Sequence, residues 1–81
     1  SFAENSLFRL VDGIRFRKEA FGHIAFASSK SWAPIDEKMC ALLIGKDDLC
    51  VDLLSSVYGA SRSDCQKSLN YLLRKNVIRI I

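Results

Sequence analysis

The strongest constraint on this chain is a change of period at Pro34–Asp36. From Leu7 to Ile35 no helical spacing is present. Residues instead alternate in short runs, as in Ile14-Arg15-Phe16-Arg17 and Ile24-Ala25-Phe26, broken by turn formers. From Asp36 onward apolar residues recur at roughly 3.6-residue spacing. Sheet first and helices second is an α+β arrangement. With 81 residues, 49% hydrophobic and 26% charged, the chain makes one small domain, too short for two and too apolar for disorder. A domain of this size buries only about 60–65% of its unfolded surface, which favours binding on the surface over a deep pocket.

The alternation predicts three strands. The first covers Ile14–Lys18 after the Asp12-Gly13 turn, the second His23–Ala27 beside Phe21-Gly22, and the third Ser31–Pro34 after Ser28-Ser29-Lys30. Pro34 cannot donate to a ladder, so the third strand is an edge. Three helices follow. Asp36 caps the first, which runs to Ile44 and ends at Gly45 in a left-handed conformation. The second runs from Asp48 to Tyr58, with Asp47 and Asp48 at its start, and stops at Gly59. Ser61 or Ser63 caps the third, Gln66 standing at capping-box spacing from Ser63, with Cys65, Leu69, Leu72 and Leu73 on one face. Val77–Ile81 is an extended segment that packs back onto the domain. Residues 1–6 read as a flexible lead-in to a domain over residues 7–81, and Ser1 reads as a processed or excised start.

Catalytic and metal-binding arrangements find little support. Cys40, Cys50 and Cys65 form no C-x-x-C pair and have only His23 to assist them, so they read as small buried hydrophobes in a cytoplasmic protein. His23 has no serine or cysteine at a recognised spacing. Gly13, Gly22, Gly45 and Gly59 are isolated, which excludes a glycine-rich phosphate loop. Asp47-Asp48 lacks the alternating oxygen ligands of a calcium loop. No apolar stretch approaches the roughly 20 residues that span a bilayer. The expectation is a domain that is not an enzyme, with no cofactor, no metal and no membrane partner.

The net charge of +3 concentrates at the two ends. Arg9–Glu19 and Ser61–Ile81 are basic, whereas Asp36–Asp52 is acidic, so a charged partner is expected to be acidic. One binding mode is a helix-turn-helix, with the third helix reading DNA across the Gly59-Ala60 turn. Against it, that helix opens on Ser63 and Asp64, and the strands precede the helices. The other mode is peptide capture by strand addition at the open edge. There Ser31 and Ala33 let a second backbone approach, while Trp32 alternates to the opposite face. The third helix supplies the facing wall, with Leu69, Leu72 or Leu73 as floor and Lys67, Tyr71 and Arg74 as rim. A dimer made through the same edge is a third possibility.

The segment from Asp12 to Phe26, and Glu19-Ala20-Phe21-Gly22 in particular, resembles the first hairpin of PqqD-like recognition elements for ribosomally synthesised, post-translationally modified peptides, and most of all their mycofactocin-pathway peptide chaperones. The likeness extends over Leu7–Ile81. In physical terms Gly22 permits a tight turn or close backbone approach, and Phe21 anchors the hairpin in the core. The resemblance implies a non-catalytic winged helix-turn-helix, an N-terminal three-stranded antiparallel sheet followed by a three-helix bundle. It implies binding of a precursor's leader peptide and delivery to a modifying enzyme, a radical S-adenosylmethionine maturase, with no nucleic-acid partner. The docking residues it implies are Lys30, Ser31, Trp32 and Ala33 on the strand, facing Lys67, Leu69, Tyr71, Leu72 and Arg74 on the helix. Lys30, Lys67 and Arg74 would steer an acidic-apolar leader. Pro34 limits the pairing, and an excised fragment could equally come from the N-terminus of a larger maturase.

Overall fold

A computed structural model describes residues 5–45 and 48–81. Its elements in chain order are β1 (Phe8–Leu10), β2 (Arg15–Glu19), β3 (Gly22–Ser28), β4 (Ser31–Ile35), α1 (Glu37–Ile44), α2 (Val51–Tyr58), α3 (Arg62–Arg74) and β5 (Ile78–Ile80). The fold is α+β, with antiparallel sheets and three helices. The first four residues of the expected lead-in lie outside the described residues, as does Asp47.

The three expected strands form one sheet in the order β2-β3-β4. A two-residue turn, Ala20-Phe21, joins β2 to β3, with Glu19 opposite Gly22. Gly22 has φ +149°, and a Cβ there would stand 2.5 Å from the Ile35 carbonyl oxygen. Glycine is therefore required where the end of β4 crosses the start of β3. Phe21 corrects the sequence reading: it is 57% exposed at the turn tip, and fully buried Phe8 supplies the core phenylalanine instead. The Ser28 hydroxyl accepts from the Lys30 and Ser31 amides at 3.2 and 3.1 Å, closing the turn into β4.

A second sheet, absent from the sequence reading, pairs β1 with β5 in the register Phe8↔Ile80, Arg9↔Arg79, Leu10↔Ile78. The helices therefore lie between the strands of this sheet in chain order rather than simply following a single sheet. β1 has a neighbour on its other side as well, because Phe8 and Leu49 exchange both backbone hydrogen bonds at 2.8 Å. Leu49 thus enters the core as extended chain, and α2 begins only at Val51, capped by the Cys50 sulfur.

The helix ends follow local chemistry. Asp36 Oδ1 accepts from the Met39 amide at 2.7 Å and caps α1, and Ser61 rather than Ser63 caps α3. Gly59 adopts φ +61°, the left-handed geometry that ends α2, but Gly45 is right-handed. At the end of α3 the left-handed residue is Asn76, φ +61°, and the Val77 amide returns to the Leu72 carbonyl at 3.0 Å. That reversal turns Val77 and Ile78 inward, where both are buried with Leu69 and Leu72. α1 packs on β1 and β3, and α2 packs on α3. Among the described residues, no helix is long and apolar enough to cross a membrane.

Candidate functional site

Two edges end the β2-β3-β4 sheet, and β4 is one of them. Among the described residues no strand pairs with its outer side, since the C-terminal β5 goes to β1. Pro34 fits this position, having no N–H to offer a ladder. β4 and α3 meet just past the helix's end, where the Ser31 hydroxyl donates to the carbonyl of Lys75, the residue that caps α3, at 2.6 Å. Toward Ile35 they part into a groove of about 220 Å³. That volume is below the roughly 300–1,000 Å³ of pockets for drug-sized ligands. It is room for one or two side chains.

Cys65, Ser68, Tyr71 and Leu72 line the groove from α3, a stripe at helical spacing that continues up to Asp64. Pro34, Ile35 and Asp36 line it from β4 and its exit, Met39 from α1, and Leu54, Tyr58 and Ala60 from α2 and its end. Its polar fixtures are mostly engaged. Tyr58 donates its hydroxyl to Asp36 Oδ1 at 2.6 Å, and burial, with that bond, holds the phenol far above its ordinary pKa. Burial also raises the thiol pKa of Cys65 and Cys40, which keeps both protonated and poorly nucleophilic.

The sequence-predicted residues divide three ways. Tyr71 and Leu72 line the groove. Ser31 and Lys30 lie outside the lining, Ser31 bound to the Lys75 carbonyl and Lys30 exposed in the turn. The others point elsewhere. Ala33 and Leu69 are wholly buried in the core and form no groove floor. Lys67 and Arg74 are exposed on α3 and outside the lining, although both neighbour Tyr71 on the helix surface, four residues before it and three after it. Trp32, 46% exposed, stands on the opposite face of the sheet, its ring centroid 6.5 Å from that of Phe26, which in turn carries the Arg17 guanidinium at 5.3 Å.

Met39, Leu54, Tyr58, Asp64 and Ser68 line the groove but escape a sequence reading. The i, i+4, i+7 spacing of Asp64, Ser68 and Tyr71 was available as a signal. The contributions of α1 and α2 depend on tertiary packing. Family models, curated proteins and solved structures show no match to this chain.

Away from the groove, His23 Nδ1 is buried without a hydrogen-bond partner among the described residues, 3.9 Å from Glu37 Oε1, with its ring edge-on to Phe16. Lys18 bonds the same carboxylate, and that bond lowers the Glu37 pKa. Among the described residues no hydroxyl or thiol bonds this histidine; the Lys18–Glu37 ion pair stands beside it at the sheet surface.

Proposed function

We propose that this domain is a PqqD-like winged helix that binds the leader segment of a ribosomally made precursor peptide and presents it to a modifying enzyme, of the radical S-adenosylmethionine class. The observation that carries the proposal is the outer side of β4, unpaired among the described residues, bordering a mainly apolar groove walled by α3. A visiting strand gains ladder hydrogen bonds along that side, and alternate side chains drop between β4 and α3. Ladder bonds fix register, and burial of one or two apolar anchors stabilises the complex by about 1.5–3 kcal/mol each. The domain contributes binding and no chemistry. Such a complex forms where its peptide and enzyme meet, in the cytoplasm.

A helix-turn-helix reading would use α2 and α3 with the αL turn at Gly59. The side of α3 that borders the groove faces the protein's own strand, and its first turn carries Asp64, which repels phosphate. A titration at two salt concentrations separates the readings. Leader binding predicts a modest loss of affinity as salt rises and interchain backbone contacts to β4. A DNA duplex that binds tighter than the leader, with a steep salt slope, overturns the proposal.

A further inference from the structure

The face of the three-stranded sheet turned away from the core is built from two cross-strand rows. Register puts Arg15, Phe26 and Trp32 side by side in one, and Arg17, Ile24 and Pro34 in the other. The alternate residues Ala25, Ala33 and Ile35 face the core and are buried. The outward rows are left open. Trp32, Pro34 and both arginines are exposed, and Ile24 and Phe26 are only half-buried. Of the six, Pro34 alone also lines the groove, so the two surfaces share a border on β4.

Tryptophan, phenylalanine and arginine are enriched at the centres of protein interfaces. Here the Phe26 and Trp32 ring centroids lie 6.5 Å apart, and the Arg17 guanidinium stands over Phe26 at 5.3 Å. Glu19 accepts from Arg17 at 2.8 Å. Arg15 has no ion-pair or hydrogen-bond partner among the described residues. The turns at that end of the sheet add Asp12 and Lys30, one charge of each sign. The face is therefore an apolar centre with an uncancelled positive charge on Arg15. That charge selects among occupants. A second copy would set the same arginines against these. A single-stranded nucleic acid stacks on open rings beside a run of free cations, whereas Arg17 covers one ring and is itself held by Glu19. We propose that this face is a second docking surface, for a segment of a partner protein that brings a large apolar residue onto Trp32 and Phe26 and a carboxylate to Arg15. Under the proposed function that partner is the modifying enzyme, but the surface stands without that reading. A strand captured at β4 would extend this sheet, so a protein seated here would also meet the captured strand's outward side chains.

Selection of phage-displayed random dodecapeptides on the intact domain, with subtraction on the double variant Arg15→Glu/Trp32→Ala, tests this. Winners should pair an aspartate or glutamate with a large apolar residue. As synthetic peptides they should shift the emission of Trp32, the chain's only tryptophan, to the blue. They should bind Arg15→Glu at least about tenfold more weakly than the parent, with folding of each variant checked by circular dichroism. Ser68→Arg, which fills the groove, should leave this binding unchanged. Absence of winners, winners without acidic residues, or winners that Ser68→Arg abolishes overturn the second surface. Tighter binding of a single-stranded oligothymidylate than of any winner, or a dimer that Trp32→Ala dissociates, overturns it in favour of another occupant. A leader peptide that leaves β4 amides unprotected overturns strand capture alone and leaves this surface standing.

Discussion

The two sheets of this domain treat their borders in opposite ways. β1 has partners on both sides, β5 along its length and Leu49 at Phe8, and the Ile81 amide adds a further bond to the Leu7 carbonyl at 3.0 Å. Among the described residues, β4 has a partner only on the β3 side. The closed sheet joins the two ends of the chain and buries Phe8, Val77 and Ile78 in the core. The open sheet carries an exposed proline and borders a groove. An unpaired edge invites aggregation, and proteins blunt it with shortness and proline or reserve it for a partner. β4 is five residues long and contains Pro34, features that blunt promiscuous pairing; under the proposed function its length would hold one short visiting strand.

Substitutions can separate these roles. Phe8→Ala should cost about 3–5 kcal/mol, measured by urea denaturation, because it empties a fully buried aromatic position shared by both chain ends. If the two sheets have distinct roles, peptide affinity per folded molecule stays unchanged. Gly22→Ala should cost about 1–3 kcal/mol, since the new Cβ meets the Ile35 carbonyl and the backbone φ disfavours a side chain. Its amide shifts should spread along β4 and leave β1 and β5 in place.

Ser68→Arg should fill the groove from its exposed α3 wall and weaken peptide binding by at least about tenfold, or about 1.4 kcal/mol, with unfolding free energy within about 0.5 kcal/mol of the parent. Tyr58→Phe has the smallest expected effect, about 1 kcal/mol from the lost bond to Asp36. Its signature is in pH. The folded phenol titrates above its ordinary value of 10.0, so its contribution is intact below about pH 10 and is lost as pH rises through the higher folded value. Alkaline denaturation curves should therefore be shallower for Tyr58→Phe than for the parent. An unchanged alkaline slope would show that the phenol is not held by burial and Asp36.

Local chemistry was legible where neighbours in sequence decide it. Alternation located β2, β3 and β4 within a residue or two, Pro34 marked the edge strand, and Asp36 and Gly59 set helix ends. β1 was not legible as a strand, because three residues carry almost no periodic signal and their partner is about seventy residues away in sequence. Leu49 was read as helix for a similar reason, its extended conformation being fixed by Phe8. In the site, Tyr71 and Leu72 were recoverable from the stripe on α3. Leu69 has the same composition and period but points into the core, and hydrophobicity alone does not distinguish a groove wall from a core face. Phe21 was misassigned because a two-residue turn places its second residue outward whatever its hydrophobicity.

Amide hydrogen exchange along β4, with and without a bound leader peptide, tests the central claim most directly. The account predicts that β4 amides not bonded to β3 exchange rapidly in the free domain and become protected on binding, while β1 and β5 amides are protected in both states. Slow exchange at every β4 amide before any peptide is added, or no new protection after it binds, would contradict the account.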